Sequence, residues 1–323
     1  MPPALRYVSL SEIALEDHTF VVTYRPDLQA LQQSVAQVGV LSPVHLRQPS
    51  PQAPLQVVSG WKRCLASQRA GQTQVPALVY SAAALSPQQA CLVALHDHLG
   101  GRVLNAVEKG RLLVCLLQQG HYPPEHVRRE FCPLLGLPPR AETLATYSTL
   151  VTLHDALQTG VVEGTMPLET ALWIGAYPPP DQEALLGLFT GLTMGLNRAR
   201  ECATALDALC QRDGCGPAEV LHRLALPEIV AQAQLSGPQK LDHLRRVLHQ
   251  ARYPRLSAHE ARFHEAARRL RFPPQISLRP PPYFEGAYQV TLSFRHRQEL
   301  QQYAERLLDA AGHEALDVLV DLL

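Results

Sequence analysis

Residues 57–71 read VVSGWKRCLASQRAG. A β-branched pair runs into Ser59 and Gly60, the adjacent cations Lys62 and Arg63 follow, and an apolar, helix-compatible segment then ends at Gly71. This is the pattern of a strand that turns through a glycine into a short helix. Glycine permits the left-handed backbone that such a turn demands, the helix N-terminus carries positive potential, and Lys62 and Arg63 add formal charge. Such a corner is either an anion site or a tight turn with two solvated cations. Its neighbours decide between the two.

Upstream, DLQALQQSVAQVG (27–39) places Leu28, Leu31, Val35 and Val38 at spacings of three and four, which predicts an amphipathic helix stopped at Gly39. VLSPVHLRQ (40–48) alternates like a strand, and LQVVSG (55–60) predicts another. WKRCLASQRAG (61–71) is a short helix and VPALVY (75–80) a further strand. Helix, strand, strand, helix, strand within so short a stretch makes a compact α/β unit.

This ordered series resembles the N-terminal domain of the ParB family, whose fold is shared with sulfiredoxin. The elements that carry the likeness are Leu28, Leu31, Ser34, Gly39, Pro43, Arg47, Gly60, Lys62, Arg63, Ala66, Gly71 and Pro76. A second likeness follows in chain order. The family has a helix motif Glu-Asn-x-x-Arg-x-x-Leu-Asn-Pro-x-Glu, and this chain reads Asp97, His98, Leu99, Gly100, Gly101, Arg102, Val103, Leu104, Asn105, Ala106, Val107, Glu108. The Leu-Asn-x-x-Glu half is kept. In the first half Asp97 and His98 stand for Glu and Asn, and the arginine falls one place later, at Arg102.

The resemblance implies CTP binding. Ser59, Gly60, Trp61, Lys62 and Arg63 would hold phosphates, with Ser42, Arg47, Arg102, Asn105 and Glu108 completing the nucleotide site. The positions of Asp97 and His98 would serve Mg²⁺ and, at most, a slow hydrolysis. Lys62 keeps the charge of the family's arginine but lacks its bidentate fork. His98 brings a nitrogen where magnesium prefers oxygen. Sulfiredoxin itself needs a cysteine directly after the turn glycine. Trp61 stands there, and Cys64 lies on the helix instead.

From about residue 87 the period becomes helical, with Pro and Gly punctuation. The segment EHVRREFCPLLGLPPRAETLATYSTL resembles the family's helix-turn-helix, with a second helix starting near Pro139 and presenting Arg140 and Thr143. Residues 96–180 hold six Lys/Arg against eight Asp/Glu, a poor balance for reading DNA. The cationic excess lies at 240–272, where nine Lys/Arg face three Asp/Glu and include Arg245, Arg246, Arg268 and Arg269. These arginines are DNA-backbone candidates, or else the solvated faces of a helix pair. Strands at 275–280 and 287–294 and a helix at 297–311 predict a small β-β-α tail.

The expected architecture is α+β: a ParB/sulfiredoxin-like α/β domain (1–95), a helix-turn-helix-like all-α region (96–180), a helical region with the basic patch (181–271) and the β-β-α module (272–323). The chain is formally neutral, with 29 Lys/Arg and 29 Asp/Glu, so no global field draws it to nucleic acid. Seven scattered cysteines read as reduced thiols, with neither a metal-site spacing nor an apolar run of about 18 residues for a membrane span. A cytoplasmic, nucleoid-associated location is expected. The resemblance further implies DNA, a second copy of the chain and a partition ATPase as partners. Two other readings stay open: a non-enzymatic adaptor on a decayed nucleotide site, and a small-molecule serine kinase on the same fold.

Overall fold

A computed structural model describes residues 3–100, 103–192 and 194–323. The contact pattern divides the chain into two units, residues 1–182 with 194–199 and residues 183–193 with 200–323.

In the first unit, strand β1 (Ala4–Ser9) leads through a 3₁₀ turn at Leu10–Glu12 to β2 (Ile13–Ala14). Helix α1 (Gln29–Val38), β3 (Val44–Gln48), β4 (Leu55–Ser59), α2 (Trp61–Arg69) and β5 (Gln74–Ser81) follow. The strands form one sheet in the order β1-β5-β3-β4-β2. β3 runs parallel to β5 and antiparallel to β4, with Leu46 opposite Val57 and Arg47 opposite Gln56. Between His45 and Leu46 the register with β4 shifts. Such bulges re-aim side chains, and this one lies at the end of β4 that carries Ser59.

Helix α3 (Pro87–Leu99) begins with a Ser86–Gln89 capping box, and α4 (Ala106–Gln118) with an Asn105–Glu108 box. The two faces of the sheet are buried separately. Val44, Leu46, Leu55 and Val57 pack with Cys64 of α2. Val58, Phe20 and Val22 pack with Ala90, Ala94 and Leu95 of α3 and Leu112 and Leu116 of α4. Alternation along β4 divides its apolar side chains between the two helical layers. Strand 40–48 of the sequence reading starts only at Val44, because residues 39–43 form a turn in which Leu41 is exposed.

After α4 the chain is helical: α5 (Pro124–His126), a π-turn at Val127–Phe131, α6 (Cys132–Leu134), α7 (Ala141–Leu150), α8 (Asp155–Val162) and α9 (Leu168–Gly175). Gly136, at φ 66°, makes the turn between α6 and α7. A Cβ on Gly110 of α4 would sit 2.5 Å from the Tyr147 carbonyl oxygen, so glycine allows α7 to cross α4 closely.

Helices α10 (Pro179–Thr190) and α11 (Leu196–Asp213) continue into the second unit. There α12 (Pro217–Arg223), α13 (Leu226–Ala231), α14 (Gly237–Arg252) and α15 (Pro254–Arg269) precede the antiparallel pair β6 (Ile276–Arg279) and β7 (Gln289–Leu292). Helices α16 (Arg297–Ala311) and α17 (Glu314–Val320) end the chain. The tail does not form a core alone. Phe284, Ala315, Leu319 and Leu322 pack on Phe263 and Ala266 of α15. Among the described residues no helix is long and apolar enough to cross a membrane.

Candidate functional site

Gly60 caps α2 with φ 97°, and the helix start has no side-chain cap. A helix N-terminus exposes N–H groups that have no intrahelical acceptor, so the start of α2 offers backbone donors where a glycine lets a ligand come close. A Cβ at Gly60 would lie 2.7 Å from Val44 Cγ1 and 3.1 Å from Arg63 Cζ. The turn therefore requires glycine for space as well as for φ.

Around this corner is a cleft of about 320 Å³. Ser59, Gly60, Trp61, Lys62 and Arg63 form one side. Asp97 and His98, at the C-terminal end of α3, come in from another. The extended segment Phe20–Thr23 makes a third wall, with Val57, Val58 and Leu31 adding apolar surface. A second cavity of about 420 Å³ adjoins it, sharing Leu31, Arg63 and Asp97 and adding Ser42, Pro43 and His45.

Polar contacts link these walls. The Ser59 hydroxyl donates to Asp97 Oδ2 at 2.5 Å. Arg63 Nη1 donates to the Ser42 and Pro43 carbonyls at 2.6 and 2.8 Å, and Nη2 to Ser59 Oγ at 3.4 Å. Arg63 thus stands between the two cavities. His45 Nδ1 lies 3.0 Å from the Tyr80 hydroxyl, and the two rings stack. Burial holds the His45 imidazole below its ordinary pKa; the charge of Asp97 opposes this and that of Arg63 reinforces it.

Trp61 is a packing residue of the wall. Its indole N–H donates to the Leu15 carbonyl at 2.9 Å, and its ring meets His18 edge-on. Burial pushes the Cys64 thiol up to about 12, so this sulfur is not a nucleophile.

Arg47, Asn105 and Glu108 sit outside the lining of both cavities. Arg47 donates to the Leu85 carbonyl and to Gln56 Oε1, each at 2.9 Å. Asn105 is the N-cap of α4, its Oδ1 accepting from the Glu108 N–H at 2.9 Å. The buried Glu108 carboxylate accepts from the N–H groups of Asn105 and Tyr24, each at 3.1 Å. Arg111 adds a bond from Nη1 to the Thr23 carbonyl at 2.6 Å. Helix α4 therefore anchors the Phe20–Thr23 wall from behind. Arg102 lies outside the described residues.

Sequence reasoning missed that wall, although FVVTY at 20–24 is an apolar, β-branched run. It also missed His45, Tyr80 and Arg111, which no local spacing marks out. Among the described residues no group of three or more His, Cys, Asp or Glu converges. Magnesium brought by a phosphate needs only one or two carboxylates, and Asp97 is the carboxylate in the cleft.

Of the DNA-binding candidates, Arg140 is exposed at the start of α7 and Thr143 is half-buried. On α15, Arg268 donates to the His264 carbonyl at 3.1 Å, and Arg269 pairs with Glu265 at 2.9 Å. Arg245 and Arg246 lie on α14 and line a groove of the second unit.

Residues 5–97 match a family described as the ParB N-terminal domain. No curated protein matches the chain. Similar solved structures include the C-terminally truncated chromosome-partitioning protein ParB from Caulobacter crescentus complexed with CTP-gamma-S. It is 25% identical at a TM-score of 0.27, over 58% of this chain and 99% of that one. The same protein complexed to the centromeric parS site is 24% identical at a TM-score of 0.28, over 62% and 97%. A Pnob8-like ParB-N domain is 13% identical at a TM-score of 0.35, over 57% and 89%.

Proposed function

We propose that this chain, whose residues 5–97 match the ParB N-terminal domain family, is a ParB-like partition protein that binds a nucleoside triphosphate at Gly60 and uses it to gate contact with DNA. The observation that carries this reading is the convergence of Gly60, Lys62 and Arg63 with Asp97 and His98 on one cleft. Phosphates approach the glycine and the first N–H groups of α2, a preorganised anion site. The Lys62 ammonium neutralises charge, and Arg63 exchanges its carbonyl partners for a bidentate phosphate bond. The adjoining cavity gives the pair the dimensions of a small-molecule site, about 300–1,000 Å³, and Ser42 offers it a hydroxyl. CTP is the triphosphate that the family likeness favours. Magnesium, when bound, screens the phosphate charge, and Asp97 is the residue that would hold it.

Arg47, Asn105 and Glu108 act on this site through the wall and sheet they hold, without touching the ligand. DNA contact falls to Arg140 and Thr143 at α7 and to Arg268 and Arg269 on α15, with backbone phosphates as the main target. A second copy of the chain and a partition ATPase are the protein partners of this reading.

Calorimetric titration with the four ribonucleoside triphosphates tests it. The expected result is preferential binding of one, CTP, weakened about tenfold or more in Arg63→Ala, as for a lost charge-assisted pair. No binding of any triphosphate at millimolar concentration overturns the nucleotide reading and leaves the adaptor.

A further inference from the structure

The second unit has a concavity of its own, made by α11 and α14. Spacings of three and four bring Arg245, Leu248, His249 and Arg252 to one stripe of α14. Glu201, Cys202 and Ala205 of α11 face them across a groove of about 340 Å³, and Tyr253 closes the end. The floor is apolar, with Leu248 and Cys202 buried. The Arg252 guanidinium lies 5.1 Å from the centre of the Tyr253 ring, and the His249 imidazole 5.3 Å from it, tilted by 56°.

Three guanidinium groups, of Arg245, Arg246 and Arg252, line the groove against one carboxylate, that of Glu201, which reaches Arg245 at 3.4 Å. Arg252 and His249 also complement the negative end of the α14 dipole, which accounts for two of the charges. It does not account for Arg245 and Arg246 at the rim of an apolar-floored hollow with an aromatic at its end, in a chain of zero net charge.

We propose that this groove is a second anion site, binding a phosphate ester that carries a planar base. The phosphate lies on Arg245 and Arg252, whose forks match its oxygens, and the base stacks on the Tyr253 ring. Glu201 opposes the ligand's charge and sets the affinity. A free nucleotide and the nucleotide unit of a nucleic-acid strand share this chemistry. The site is independent of the N-terminal cleft.

The test uses the full chain carrying Arg63→Ala, which removes a guanidinium from that cleft. The four nucleoside monophosphates and a short oligothymidylate are titrated separately at low salt. The expected result is binding of at least one probe, weakened about tenfold in Tyr253→Ala. Arg245→Ala/Arg252→Ala weakens it at least as much, and flattens the salt dependence of strand binding by about one phosphate contact per arginine. Glu201→Gln tightens binding, a gain that a misfolded variant cannot imitate. Preference for a monophosphate assigns a free nucleotide, and preference for the oligonucleotide assigns a strand. Equal affinity with and without Arg245 and Arg252, or no binding of either probe at millimolar concentration, overturns the proposal.

Discussion

Gly60 carries two constraints at once, a positive φ and a contact with Val44 that leaves no room for a methyl group. Gly60→Ala is expected to destabilise the first unit by about 1–3 kcal/mol from backbone strain, with a further loss as Val44 yields, read as a fall in the urea midpoint. His45 is a second residue whose chemistry can be tested. Its folded pKa is lowered from the ordinary 6.5, first by burial. The unfolded chain therefore takes up the proton first as pH falls. The stability from neutral His45 is complete above pH 6.5 and is lost as pH drops from there through the lowered folded value. Urea melts between pH 7.5 and 5.5 (about two pH units spanning the unperturbed histidine value) should show a decline that His45→Gln reduces. A decline of equal size in both proteins would assign it to other groups.

Helix ends, more than helix faces, build the candidate site. The start of α2 supplies backbone donors, the end of α3 supplies Asp97 and His98, and the start of α4 holds the wall in place. Glu108 serves both α4 and the wall, since its carboxylate caps the helix and receives the Tyr24 N–H. Glu108→Ala leaves two donors without their acceptor, at about 1–3 kcal/mol for each buried group. The expected cost to the first unit is about 2–6 kcal/mol, with weakened triphosphate binding. Asn105→Ala, which removes only the N-cap, should cost about 1 kcal/mol and leave binding nearly intact. Denaturant melts paired with calorimetry separate the two. A binding defect in Asn105→Ala equal to that in Glu108→Ala would mean that Glu108 does not act through the Tyr24 wall.

At the scale of the molecule, both tryptophans, Trp61 and Trp173, belong to the first unit, while the tail core around Phe263, Phe284 and Leu319 belongs to the second. Leu319→Ala deletes a fully buried side chain and should cost the second unit about 2–5 kcal/mol. Tryptophan fluorescence should keep its melting point while the far-UV circular dichroism gains an earlier transition, since units with separate cores need not unfold in one step. An equal downward shift in both signals would mean that the chain melts as one cooperative body.

The order of strands and helices from 28 to 80, the Gly60 turn, and the two strands and first helix of the tail were legible in the sequence, because periodicity and glycine placement are local and each follows from the backbone of its own element. The closing helix Glu314–Val320 was not. The cation pair at 62–63 and the acid at 97 could also be read, through the spacing of two motifs in one resemblance. Tertiary structure alone decided which of these residues meet. It brought Asp97 to Ser59 across 38 positions of chain and made Phe20–Thr23 a wall of the cleft. It gave Arg47 and Glu108, expected as nucleotide-site residues, buried hydrogen bonds to the Leu85 carbonyl and the Tyr24 N–H. It also gathered Arg245 and Arg252 beside Tyr253 above an apolar floor. A charge in sequence has a sign but no partner, and only packing settles whether it faces a cavity or satisfies a buried backbone group.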